Sequence, residues 1–64
     1  MELKNKQIKI LELLTRLGEL VESEIAFQIT SSQRYTKGYL QELEKNGSVE
    51  KRNIGKTTYW KIRN

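Results

Sequence analysis

The apolar period of this chain changes at Gly47, and that change limits the folds open to it. Up to Gly47, apolar residues recur every three or four positions, as on the buried face of a helix. Beyond it they alternate, as on a strand with one face covered. The pattern reads as helices followed by a two-stranded hairpin, an α+β chain that is mainly α. With 64 residues, the expectation is one domain over 1–64. A chain of that size buries only roughly 60% of its unfolded surface, so its core is small.

Residues 3–17 read as a first helix. Leu3, Ile10, Leu13, Leu14 and Leu17 share one stripe, with Leu11 at its border and Ile8 well off it. Gly18 closes this helix. Leu20-Val21 is too short for an independent strand but can add one rung to a small sheet. Residues 22–29 read as a second, short helix. Ile25, Ala26 and Ile29 face inward, Phe27 points away, and Glu22 and Glu24 sit where the helix dipole favours acids. Thr30-Ser31-Ser32 breaks the pattern. The third helix runs from Gln33 to Asn46, with Ser32 as N-cap and Gly47 just past its end. Thr36, Leu40 and Leu43 form its buried face, and Tyr39 stands at the edge.

In the hairpin, Val49 and Lys51 share one strand face, and Trp60 and Ile62 share a face of the other. A loop of two or four residues within Asn53–Lys56 sets Val49 opposite Trp60, both toward the core. A slip of one residue would expose one set. Trp60, Leu40, Leu43 and Leu14 are then expected in one core.

The stretch Gly55-Lys56-Thr57 also ends the phosphate-binding loop of nucleotide hydrolases. That loop needs an earlier glycine five positions before Gly55, where this chain has Glu50. It also opens a long helix, and only nine residues follow Gly55. Gly55 is better explained by the positive φ of a tight hairpin turn.

Several functions fall away on composition. The chain has no cysteine and no histidine, so it lacks a disulfide framework, thiolate ligands, the usual general base and the usual zinc ligand. No nucleophile, base and orienting group can be assembled, so an enzyme is not expected. Nor is a cofactor, a metal or a small-molecule substrate. No apolar run reaches membrane-spanning length, and no signal-peptide pattern follows Met1. The expected location is the cytoplasm, at the nucleoid.

Charge is divided unevenly. Residues 1–32 carry four basic and five acidic side chains, net −1; residues 33–64 carry eight and three, net +5. The second half suits a polyanionic partner, although a solvated lysine-rich surface has the same composition. Opposite the buried face of the third helix lie Arg34, Lys37, Gly38, Gln41 and Lys45. Arg and Gln can bind guanine and adenine bidentately in a major groove. Gly38 costs its helix roughly 1 kcal/mol relative to alanine. Two reasons are open: close approach to a phosphate or base edge, or relief of crowding against another helix.

Helix, short strand, helix, turn, helix, hairpin is the order of a winged helix-turn-helix domain. The run "YLQELEKNGSVEKR", with "TTYW" after the hairpin and "SEIAFQI" upstream, resembles the small fimbrial-operon regulators of the PapI/FaeA type. The likeness runs from about Lys6 onward. It implies a double-stranded DNA partner and a role in transcription regulation, and leaves open a homodimer or a partner regulatory protein. No further helix is expected within these residues after the wing, of the kind many dimeric winged-helix regulators pair through. By position, the expected DNA contacts are Ser32, Gln33, Arg34, Lys37, Gly38, Gln41 and Lys45 on the third helix. Arg52, Lys56 and Thr57 are expected on the wing. The wing is shorter and less basic than in those regulators, and Glu22 stands where a hydroxyl N-cap is usual. Two other readings use the same fold: a protein-interaction module, to which Phe27 and Ile8 lend support, and an architectural or recombination-directionality factor that bends DNA.

Overall fold

A computed structural model describes residues 3–63. Its elements in chain order are α1 (Asn5–Leu17), β1 (Leu20–Val21), α2 (Glu22–Gln28), α3 (Gln33–Lys45), β2 (Val49–Ile54) and β3 (Thr57–Ile62). The three strands form one antiparallel sheet in the order β1-β3-β2. The last strand in sequence is therefore the middle strand in space. β1 contributes the single short rung expected of it, with Leu20 opposite Trp60 and Val21 opposite Tyr59.

The core draws on every layer. Ile10, Leu13 and Leu14 from α1 meet Ile25 and Ile29, Leu40 and Leu43 from α3, Val49 and Trp60. The helical stripe predicted for α1 needs two corrections. The helix begins at Asn5, so Leu3 packs on the core from outside it. Leu17 lies in the last turn, beyond the elements that cover the stripe, and is 52% exposed.

The first turn instead buries a polar side chain, Gln7, which is 1% exposed. Its amide is fully used. The Lys4 backbone N–H donates to Oε1 at 2.9 Å, and Nε2 donates to Glu42 Oε1 at 3.0 Å and to the Tyr39 carbonyl at 3.4 Å. Gln7 thus caps α1 and ties it to α3, which makes its burial tolerable.

The hairpin register also differs from the sequence expectation. Val49 pairs with Ile62 and Lys51 pairs with Trp60, not Val49 with Trp60. Only Gly55 and Lys56 lie between the Ile54–Thr57 pair. Gly55 has φ +62°, while Lys56 is not among the positive-φ residues. These are the φ signs of a type II′ turn, which takes glycine at its first central position. Placing the loop one residue later shifts the pairing by two. A shift of two keeps every side chain on its own face, so Val49 and Trp60 remain buried.

α2 and α3 end in the same hydrogen-bond pattern with different residues at its tightest point. After α3, Ser48 N–H donates to the Leu43 carbonyl and Gly47 N–H to that of Glu44. After α2, Ser31 N–H donates to the Ala26 carbonyl and Thr30 N–H to that of Phe27. Both are Schellman closures, which place one residue at positive φ. Gly47 takes that role at +84° without strain; Thr30 takes it at +55°. A β-branched residue there is strained. The Lys6 ammonium donates to the Ile29 and Thr30 carbonyls and holds this turn in place. The turn sets where α3 starts, and Ser32 then caps α3 by accepting from Tyr35 N–H at 3.2 Å.

Two stability measurements check this account. Thr30→Gly relieves about 1–2 kcal/mol of left-handed strain against about 0.4–1 kcal/mol of added unfolded-state entropy. Urea titration should therefore show a small net gain, and a clear loss would mean that Thr30 is not strained. Trp60→Ala should cost about 3–5 kcal/mol, comparable to the whole stability of a domain this small. Cooperative melting near the wild-type temperature would place Trp60 outside the core.

Candidate nucleic-acid interface

α3 lies along the molecule with Thr36, Leu40 and Leu43 fully buried beneath it. At 100° per residue, the opposite crest carries Arg34, Gly38, Gln41 and Lys45. All four are exposed, as are Ser32, Gln33 and Lys37. The Ser32 hydroxyl is occupied as the helix cap.

The structure sorts these residues into strips. Gln33, Lys37 and Gln41 line a groove whose opposite wall is the hairpin, through Lys51, Lys56, Thr57 and Thr58. Val21, Glu22 and Ser23 close one end, and Trp60 forms part of its floor. Arg34 and Gly38 border a separate shallow depression with Lys4, Tyr35, Tyr39 and Glu42. Lys45 borders neither.

Gly38 is not explained by packing. A methyl group built at this position meets nothing within 4 Å, and its backbone is not at positive φ. Of the two reasons open from the sequence, crowding against another helix is removed.

Arg52 does not join the groove. Alternation along β2 sends it to the outer face of the sheet, where it donates to Glu19. Lys61 pairs with Glu50 at 3.5 Å on the same face, and Lys4 pairs with Glu42 at 3.8 Å. The two lysine pairs are exposed on both sides and contribute only about 0–1 kcal/mol each, whereas the Glu19 side chain is 24% exposed and Arg52 is the cation that pairs with it. Lys37, Lys51 and Lys56 have no carboxylate partner among the described residues. Glu22 is the one carboxylate lining the groove among the described residues.

Sequence reasoning left Lys51 out of the candidate contacts. The signal was present: Lys51 shares a strand face with Val49. Two residues beyond that buried side chain, the same face emerges into the groove. Thr58 was also missed. It lines the groove and donates through Oγ1 to Asn53 Oδ1 at 2.7 Å, across the hairpin.

As chemistry, the groove offers ammonium groups, amides, hydroxyls and the Glu22 carboxylate. Among the described residues no group of His, Cys, Asp and Glu could hold a metal ion. No helix of the described residues is long and apolar enough to cross a membrane.

Known structures share this fold. The homodimeric winged helix-turn-helix DNA-binding domain of Mb0332 from Mycobacterium bovis, a possible ArsR-family transcriptional regulator, superposes with a TM-score of 0.89 at 30% identity. The match covers 95% of this chain and 56% of that one. HlyU from Vibrio cholerae gives 0.87 at 23% identity, over 95% of this chain and 65% of that one. The Zalpha domain of PKZ from Carassius auratus, solved in complex with Z-DNA, gives 0.81 at 21% identity, over 89% and 90% of the two chains. The last two likenesses concern the fold alone. No curated protein matches the sequence. The FaeA-like protein family matches residues 5–64, from the first residue of α1 through the hairpin. The fold is a winged helix-turn-helix, and the chain belongs to the FaeA-like protein family.

Proposed function

We propose that this protein is a transcriptional regulator that binds double-stranded DNA sequence-specifically. α3 enters the major groove, and the hairpin tip rests on the flanking backbone or minor groove. One observation carries the reading: Lys37 of α3 and Lys51 and Lys56 of the hairpin share a groove and have no carboxylate partner among the described residues. Arg34, Gln41 and Lys45 extend this donor surface along the helix crest.

Base readout in this account comes from Arg34, Gln33, Lys37 and Gln41, whose side chains have the donors that purine edges accept. Lys45, Lys56 and the Thr57 hydroxyl supply backbone contacts, which add affinity without sequence information. Gly38 fits the same scheme. Its missing side chain lets the helix crest come close to a base edge or phosphate. The M. bovis neighbour's DNA-binding domain, at 30% identity, supports the reading. That domain is homodimeric, and a homodimer on two half-sites is the simplest assembly for this chain.

A second reading rests on Phe27, which is 79% exposed on α2. There a partner regulatory protein docks, alongside DNA or instead of it. Phe27→Ser leaves duplex affinity unchanged if Phe27 serves only a protein partner.

Selection from random duplexes should return a defined motif. With that duplex, Arg34→Ala, Lys37→Ala and Gln41→Ala should leave the fold intact, and those that read a base should each lose about 1–3 kcal/mol. Unchanged affinity in all three removes α3 as the reading helix. Lys56→Ala should weaken all duplexes alike and lower the slope of log affinity against log salt by roughly one unit. Saturable ATP or GTP binding that this mutation abolishes would restore the nucleotide reading.

Gly38→Ala separates folding from function. Its backbone suits alanine, so stability should rise by about 0.4–1 kcal/mol, while binding to the selected duplex falls. A stability gain with unchanged binding would show that nothing approaches Gly38 closely.

A further inference from the structure

The two neighbouring cations of β2 are held in opposite ways. Lys51 and Arg52 are adjacent, so they point to opposite faces of the sheet. Arg52 reaches the Glu19 carboxylate. The Lys51 ammonium lies 5.9 Å from the centroid of the Trp60 ring, at the groove. An aromatic face attracts a cation without neutralising it. Lys51 is thereby held near the ring without a carboxylate partner among the described residues. Lys56 sits in the two-residue turn at the tip and has no such seat.

Trp60 adds a second observation. Its residue is 3% exposed, and its indole N–H is buried with no acceptor among the described residues. A buried donor left without a partner is uncommon. Buried from solvent, that N–H is not offered to an anion in the groove, but it reports on changes around the Trp60 ring.

We propose that Lys51, seated on Trp60, is a phosphate contact of the wing with duplex DNA, and that Arg52 serves the fold instead. This deepens the DNA-binding reading above and rests on it. A phosphate oxygen entering beside Lys51 draws the ammonium off the indole face. Trp60 is the only tryptophan in the chain, so the event has its own optical signal.

The test uses Lys51→Met, which keeps an unbranched apolar chain over the indole and removes the charge, beside Arg52→Met and the wild type. The duplex is the one selected for the wild type, titrated at several salt concentrations and followed by anisotropy and by Trp60 fluorescence. Inorganic phosphate and a single strand of the same sequence are the control probes. Lys51→Met should lower the salt slope by about one unit and abolish the fluorescence change. Arg52→Met should keep both while melting at a lower temperature. An unchanged slope and fluorescence response in Lys51→Met overturns the proposal, as does a slope lost only in Arg52→Met. A full response of the wild type to phosphate alone also overturns it, since the site would then be a free-anion site. If the wild type binds no duplex, the DNA-binding reading fails with it. If Lys37→Ala weakens binding and Lys51→Met does not, only this proposal fails.

Discussion

Most of the molecule depends on β3 being the middle strand. It pairs with β1 on one side and β2 on the other, so one strand joins the start of the helix-turn-helix to the wing. Trp60 sits at that junction, opposite Leu20 across one ladder and Lys51 across the other. Its buried face completes a core that also holds Leu14, Leu40 and Leu43. An indole buries more area than any aliphatic side chain, and a chain of this size has few such side chains to spare. The same strand face that closes the core continues into the groove as Lys51. Core and interface are therefore two ends of one surface.

That arrangement accounts for how charge is distributed. The outer face of the sheet holds Arg52 against Glu19 and Lys61 against Glu50. The groove-facing side holds Lys51, and the tip holds Lys56, without such partners among the described residues. Net charge by chain half pointed to a polyanionic partner for residues 33–64, but it gave Arg52 and Lys51 equal weight. Strand alternation and tertiary pairing distinguish them. The strain at Thr30 falls in the turn that closes α2 and leads into α3, and the unfilled surface at Gly38 falls on the crest of α3. Local costs gathered in the helix-turn-helix fit a surface selected for contact rather than for stability.

Helix three was legible almost residue by residue, because its signals are local: a hydroxyl cap at Ser32, a buried stripe at Thr36, Leu40 and Leu43, and Gly47 past its end. The hairpin was legible in its faces but not in its register. Period-two alternation is unchanged by a shift of two, and only the turn geometry at Gly55-Lys56 decides between the choices. Leu17 was misplaced, and the burial of Gln7 was missed, for the opposite reason. Hydropathy gives the direction of a side chain around α1 but not whether another element covers it. A buried glutamine depends on partners at Tyr39 and Glu42, more than thirty residues away, and no local pattern announces them. Among the candidate contacts, Gln33, Lys37, Gln41, Lys56 and Thr57 come together in space, whereas Arg52 required the fold to be set apart.

The central claim is that one continuous surface, from the crest of α3 across the groove to the wing tip, receives duplex DNA. Amide chemical-shift mapping tests it most directly, with labelled protein titrated by the selected duplex at moderate salt. The account predicts the largest shifts at Gln33, Arg34, Lys37, Gly38 and Gln41, with a second set at Lys51, Lys56 and Thr57 and the indole N–H of Trp60. Residues on the outer face of the sheet, Glu50 and Arg52, should move little. Shifts centred on Ile8 and Phe27 with a silent α3, or no shifts at saturating duplex, would contradict it.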